Sequence, residues 1–333
     1  MTPAWLARRE LHARTRRVVA LNNVGFVATR AQRWVLLRNL LHFLSPQEAR
    51  QIPGIPPNVA WEARVVRACA RRADVVVVPT SAMAERVLAA LPALASRLVV
   101  RPHPLSAPPP APAERRPGRF LCPVLFAPFK AMGEVLRPVD EAAALVAEQT
   151  GADVHVVVTA GEDEARAEGL AGCRRLLFVG RLSPQELAAH QRACQALVYP
   201  TRIESFGYPL AEARLAGVPV VAAGTAHNHE VAGPMLVPYQ RESPDEIAAA
   251  MHAALTAAPQ REAVNPFDPG RYFDWLLDAA PQRPEPERLA PEHIEPDHRV
   301  PSPRSAPQDQ PAQGRIPTQR RTPQEQRVLE EQA

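Results

Sequence analysis

Short, nearly continuous apolar runs alternate along most of this chain with segments whose apolar positions recur at helical spacing. After residue 119 the alternation is regular. PVLFA (123–127), DVHVVVTA (153–160), RLLFVG (175–180), ALVYP (196–200) and VPVVAA (218–223) predict strands. VDEAAALVAEQ (139–149), SPQELAAHQRAC (183–194), YPLAEARLAG (208–217) and SPDEIAAAMHAAL (243–255) predict helices. Two of these helices open on Ser-Pro, a hydroxyl that caps the first turn and a ring that needs no N–H there. Gly217 closes a third. Strands written as unbroken apolar runs belong to a parallel sheet covered on both faces, so the fold class is α/β.

The first hundred or so residues carry the same signal more weakly. RRVVALNN (16–23) and ADVVVVPTS (73–81) predict strands, RLVVRPHP (97–104) closes the segment, and helices are expected near 31–44, 59–71 and 82–91. WVLLRNLLHFL (34–44) has the spacing of an amphipathic helix whose leucines serve the core. The Pro-rich stretch 102–119 reads as a stiff linker. From about residue 281 the chain is rich in Pro, Glu, Gln and Arg. Such a segment buries too little apolar surface to offset its chain entropy, so a disordered tail is expected. The expected organisation is two Rossmann-like parallel-sheet domains: a reduced one at 1–105, short or truncated at its start, a linker at 106–119, a second at 120–280, and the tail at 281–333.

Composition narrows the function classes. At 46% hydrophobic the 333-residue chain is globular, and no apolar run reaches the roughly 18 residues of a membrane span. Met1 opens an Arg-rich polar segment without a signal-peptide core, which argues for a cytoplasmic protein with no integral membrane segment. A net charge of +4, spread along the chain, gives no base-stacking basic patch, so nucleic acid is not an expected partner. Cys69, Cys122, Cys173 and Cys194 are scattered without metal-ligand or disulfide spacing. The cations are more informative: Lys and Arg total 39, yet Lys130 is the single lysine. Either one lysine survives by chance in a chain biased toward arginine, or its place wants a compact ammonium that a guanidinium does not replace.

Candidate chemistry concentrates in YPTRIESFGYPLAEARLAGVPVV (199–221). Ligands of open parallel sheets bind beyond the carboxyl ends of strands, where loops enter helices. Residues 201–207 form such a loop. Gly207 lets the backbone approach a ligand, Pro209 fits a first helical turn, and that helix begins with free N–H groups and a positive dipole end. Glu204 precedes the helix and Glu212 lies inside it, so both can face one crevice. Each acid alone is also explained blandly, Glu204 as a favourable charge at a helix start and Glu212 as a solvated helix residue. Their combination with Phe206, Gly207 and Pro209 favours a site.

In the form ESFGYPLAEARLAGVPVVA, this Glu-x7-Glu pattern resembles the retaining, nucleotide-sugar-dependent glycosyltransferases of the GT-B fold, family 4. The resemblance runs from about Phe178 to Leu255, and more loosely through ADVVVVPTSAMAERV and RLVVRPHP, which look like the last strand and helix of the family's N-terminal domain and its crossover. It implies a nucleoside diphosphate sugar and an acceptor molecule as partners, a sugar-nucleotide site in 120–280, and an acceptor side in 1–105. No cofactor and no bound metal are implied, and Asp-x-Asp does not occur in the chain.

Carried over by position, the resemblance gives Glu204 contact with the transferred sugar. It gives the backbone of Phe206, Gly207 and Tyr208 contact with sugar hydroxyls and diphosphate, and Glu212 the ribose. Beyond that carry-over, Gly180 and Arg181 are candidates for the donor side, an exposed helix-entry arginine being the equal alternative for Arg181. Asn39 and His42 are candidates for the acceptor side of the cleft, a satisfied core or surface histidine being the commoner outcome. Where the family places Gly-Arg before its Lys, this chain reads FAPFKAMGEV, with Ala127-Pro128 in place of Gly-Arg. Arg137 does not match the missing spacing, so the phosphate cation is assigned to Lys130. His103 is expected to be a linker histidine and Glu230 a capping acid at a helix start. Two further readings stay open: a degenerate sugar-nucleotide-binding protein and a GT-B sugar-nucleotide epimerase.

Overall fold

The computed structural model describes residues 15–26, 28–108, 115–257 and 261–277. Two parallel sheets lie within one compact unit. The first holds β1 (Arg17–Ala20), β2 (Gln32–Leu36), β3 (Val75–Val78) and β4 (Leu98–Val100), in that order. Helices α1 (Pro46–Gln51), α2 (Val59–Arg72) and α3 (Ser81–Ala90) connect these strands. β3 is four consecutive valines, stiff β-branched residues that suit a pleated, buried strand. Thr80 then accepts a hydrogen bond from the Met83 N–H and starts α3.

The helix expected at 34–44 is not there. Trp34, Val35 and Leu36 lie in β2, between β1 and β3, and all three are buried. A strand covered on both faces is as continuously apolar as a buried helix, so spacing alone does not separate them. Beyond Leu37 the side chain of Asn39 accepts from the Leu41 N–H and opens a 3-10 turn, Leu40–Phe43.

The second sheet is built from β5 (Arg119–Cys122), β6 (His155–Val158), β7 (Leu176–Phe178), β8 (Ala196–Tyr199), β9 (Val220–Ala223) and β10 (Leu236–Tyr239). Their spatial order is β10-β9-β8-β5-β6-β7, all parallel. Counted within the lobe this is the doubly wound 3-2-1-4-5-6 order read from the other edge, and its direction reverses between β5 and β8. The helices are α4 (Met132–Thr150), α5 (Glu162–Ala167), α6 (Pro184–Ala193), α7 (Tyr208–Ala216), α8 (Ala226–Ala232), α9 (Pro244–Thr256) and α10 (Pro269–Leu277). The opening strand is RFLC rather than the expected PVLFA: Pro123 has no N–H for a central ladder, so pairing stops at Cys122 and the apolar run becomes the loop after β5.

Alternation along the strands divides the core. Phe120, Val156, Val158, Val198 and Val221 pack against α4 and α9 through Met132, Leu136, Val139, Ile247 and Met251. Leu121, Val157, Leu197 and Val220 face the other side, against Phe206, Leu210 and Phe267. Each fully buried side chain of this kind contributes about 1.5–3 kcal/mol. The chain then returns to the first lobe, where Tyr272 and Leu276 of α10 pack on Trp34, Leu36 and Val77.

The heart of the expected linker (109–114) and the tail at 281–333 lie outside the described residues. Among the described residues no helix is long and apolar enough to cross a membrane.

Candidate active site

The reversal between β5 and β8 makes two loops neighbours at the carboxyl edge of the sheet. The loop after β5 carries Lys130 and the loop after β8 carries Glu204. Their side chains meet, with Lys130 Nζ 3.4 Å from Glu204 Oε2, and both are largely buried. The same Oε2 accepts a 2.7 Å hydrogen bond from the Tyr199 hydroxyl, and Oε1 accepts from the Ser205 N–H at 3.2 Å. Tyr199 is the last residue of β8 and is itself buried. Burial, and then the Glu204 charge it faces, holds its phenol well above the ordinary range.

Lys130 ends a 3-10 turn, Pro128–Lys130, and is followed by Ala131 in the left-handed region at φ 47°. On the other side Gly207, at φ 79°, takes the position before α7. A Cβ there would stand 3.0 Å from Leu210 Cδ1, a side-chain end that would have to shift slightly; the positive φ is what calls for glycine. No side chain caps α7, and its first turn has no acid.

These loops form one wall of a cavity of about 400 Å³. Lys130, Glu204, Ser205, Phe129 and Ile203 come from the second lobe; Arg38, Asn39, Asn58 and Glu62 are the polar residues of the first. The walls are tied together. Ser205 Oγ accepts from the Leu40 N–H at 2.9 Å, the Thr80 hydroxyl donates to the Ser205 carbonyl at 3.2 Å, and Arg38 Nη2 donates to the Tyr208 hydroxyl at 2.8 Å. Glu230 reaches the same boundary. It lies inside α8 rather than at a helix start, and its carboxylate accepts from the Ser81 N–H at 2.9 and 3.0 Å, capping α3 of the first lobe. Its burial raises the carboxyl above its ordinary range.

The remaining expected site residues divide. Asn39 lines the cavity, while its side-chain oxygen is engaged by Leu41 N–H. His42 is buried behind it, with Nε2 3.4 Å from Glu62 Oε2; burial lowers its pKa, so the ring is neutral. Glu62 also accepts from Asn58 Nδ2 at 2.6 Å. Glu212 does not line the cavity. It is half-buried in α7, and burial raises its carboxyl with no hydrogen-bond partner for it among the described residues. Gly180 follows β7 at the sheet edge with φ 76°, and Arg181 is 77% exposed, 3.8 Å from Glu164. Arg137 is an exposed residue of α4 whose guanidinium covers Gly169.

Three features escaped the sequence reading. Arg38 and Glu62 reach the cavity only through tertiary structure. Tyr199 read as a strand residue, although a tyrosine ending an otherwise aliphatic buried strand is itself a signal, since a buried hydroxyl needs a partner. His103 lies in the connection after β4, as expected of a linker histidine, but it is buried, stacked on Tyr208 at 5.6 Å and edge-on to Phe206 at 5.1 Å.

Comparison with known proteins agrees with this architecture. Residues 134–257 match the family described as glycosyl transferases group 1. Among solved structures, the chain is similar to WaaG, a glycosyltransferase involved in lipopolysaccharide biosynthesis, at 16% identity over 77% of this chain and 73% of WaaG, with TM-score 0.53. It is similar to S. aureus TarM, in a complex with fondaparinux, α-GlcNAc-glycerol and UDP, at 15% identity over 70% of this chain and 45% of TarM, with TM-score 0.51. Anabaena HepE, in complex with UDP and glucose, gives 17% identity over 76% of this chain and 71% of HepE, with TM-score 0.51. No curated protein matches the chain in sequence. The fold is that of the GT-B glycosyltransferases, and the second lobe resembles glycosyl transferases group 1.

Proposed function

We propose that the protein is a retaining glycosyltransferase of family 4 type, which moves a sugar from a nucleoside diphosphate sugar to an acceptor hydroxyl without a bound metal. One observation carries this reading. An acid and the chain's lone ammonium face each other at the switch point of a doubly wound sheet, beside an uncapped helix tip and at a cavity that opens to the other lobe. The diphosphate sits at the tip of α7, on the N–H groups of Phe206, Gly207 and Tyr208, with Lys130 as counter-cation. Glu204 lies by the sugar and stabilises positive charge as the bond from the anomeric carbon to diphosphate oxygen breaks. The acceptor oxygen attacks on the face the diphosphate leaves, and its proton passes to a leaving phosphate oxygen.

Glu212, half-buried and without a protein partner among the described residues, is offered to the ribose hydroxyls. Gly180 and Arg181 flank the nucleotide. Asn39 borders the acceptor, and His42 supports it through Glu62. Closure of the lobes on the donor would exclude water and limit hydrolysis.

The test is a panel of UDP-, GDP- and ADP-sugars, scored for slow donor hydrolysis without acceptor. One donor should be hydrolysed, and Glu204→Gln should lower that rate by roughly 10²- to 10³-fold. Donor-dependent thermal stabilisation with no turnover would instead mark a binding protein, the reading favoured by Ala127-Pro128 standing where an arginine is expected. Interconversion of two donors would mark an epimerase.

A further inference from the structure

We propose that Tyr199 is the positioning residue of Glu204, the group that holds the carboxylate in place once Lys130 has turned to the donor. The inference rests on the role proposed for Glu204 and adds a division of labour between its two partners.

Lys130 and Tyr199 bind the same oxygen of Glu204, at 3.4 and 2.7 Å. The two bonds differ in what they do to the charge. An ammonium neutralises the carboxylate, and a neutralised carboxylate offers little to a developing positive sugar. A phenol O–H orients it and leaves its charge intact. A bound diphosphate carries more negative charge than one carboxylate and offers several oxygens, so the flexible lysine stem turns to it. Glu204 is then freed electrostatically at the step that needs it.

What keeps it in place is a donor that does not leave. The Tyr199 ring is locked in β8, paired to β9 and packed among Leu121, Leu197, Phe206 and Leu210. Its short bond to Glu204 spans five residues of loop and fixes where residues 200–204 end. Ser205 N–H, on the other oxygen at 3.2 Å, is the weaker tether. A hydrogen bond from a neutral donor to a charged acceptor is also among the stronger single contacts a buried site affords.

The experiment combines kinetics with a readout that needs no turnover. Tyr199→Phe keeps the ring in the core. It should lower the turnover of donor hydrolysis roughly 10- to 100-fold while leaving KM for the donor within a few-fold, because a displaced reacting group costs rate more than binding. In a Glu204→Gln background the same substitution should add almost nothing, since the two residues act as one unit. Independently, the chain has four tyrosines, so the ring Cζ resonance of Tyr199 can be assigned by comparison with Tyr199→Phe. Glu204→Gln should move that resonance and bring the Tyr199 titration down toward the ordinary range; the others should stay. Equal and additive losses in both backgrounds, or an unmoved Tyr199 resonance, overturn the proposal. If no donor is turned over by the unaltered protein, the transferase reading fails, and the resonance still decides whether Tyr199 holds Glu204.

Discussion

Two helix tips flank the switch point of the second sheet, and the protein treats them in opposite ways. At α4, after β5, the Gly133 N–H donates to Glu168 Oε2 at 2.9 Å, and Glu134 in the same turn is held by Arg202 at 3.0 Å. A Cβ at Gly133 would collide with the Glu168 carbonyl, so the acid is seated closely. At α7, after β8, no side chain caps the helix, its first turn carries no acid, and glycine occupies the position before it. A helix N-terminus leaves unsatisfied N–H groups and attracts negative charge. One tip therefore has a carboxylate of its own, and the other is left for a charge the protein does not supply. The lone lysine, two residues ahead of α4, reaches across to Glu204 in the loop that leads to the open tip.

The largest effect should come from removing that cation. Lys130→Met keeps the apolar stem and removes the charge, and donor hydrolysis should fall by about 10²-fold or more, as for loss of one preorganised charge stabiliser. Lys130→Arg should not restore it, because a planar guanidinium does not fit the place of a compact ammonium. Full activity in Lys130→Arg would show that the open tip needs only a positive charge, and the distinction drawn for the single lysine would be wrong.

The second test acts on what lies beneath the open tip. His103 stacks on Tyr208 and meets Phe206, and burial, followed by the Arg38 charge, lowers its pKa from 6.5 to about 4. The folded state resists protonation that the unfolded chain accepts, so the unfolded state binds more protons between these values. His103 thus contributes stability that is complete above pH 6.5 and is lost as pH falls toward 4. At one pKa unit per 1.36 kcal/mol, the full effect is on the order of 3 kcal/mol. Urea unfolding at pH 7 and pH 5 samples the first part of that loss, about 2 kcal/mol. His103→Phe should flatten the difference while preserving the stacked ring; the same acid sensitivity in that variant would move the cause elsewhere.

Glu168→Ala sharpens the contrast directly. Loss of the cap should cost about 1 kcal/mol in urea unfolding. It should also open the tip of α4, whose first turn still carries Glu134, so that inorganic phosphate stabilises the variant more than the unaltered protein. Equal stabilisation of both would mean that the carboxylate does not keep anions from the tip.

Much of this contrast was legible before the fold was known, but unevenly. Glu204, Gly207 and Pro209 announce a loop entering a helix, and Lys130 stands out by being alone. What the chain order hides is that the loops after β5 and β8 are neighbours, because the sheet reverses direction between strands that are not consecutive. Apolar content also misplaced two elements. PVLFA is as hydrophobic as RFLC, and only Pro123 tells which can pair in a sheet centre. WVL in β2 shares the composition of a buried helix, and its neighbours β1 and β3 decide the matter. Short elements such as α5, α8 and β10 span too few residues to show a period. Glu168 could not be linked to Gly133 from sequence, since the pairing of a distant acid with a helix tip is a tertiary fact.

The smallest expected effect concerns how Lys130 is aimed. Ala131, next to it, adopts φ 47° and ψ 51° ahead of α4, a conformation that crowds an L side chain. The left-handed region costs such a residue roughly 1–2 kcal/mol, whereas glycine enters it freely. Glycine also loses more freedom on folding, and that opposing contribution is about 0.4–1 kcal/mol. The difference leaves Ala131→Gly more stable by about 0.5–1 kcal/mol, measurable in urea unfolding. Kinetics should move the other way if the turn serves the site: a freer backbone at 131 lets the ammonium wander, and donor hydrolysis falls a few-fold as stability rises. A variant that is both more stable and equally active would show that the strained turn is not what directs Lys130 to Glu204 and the open tip, and that the reach of the side chain alone is enough.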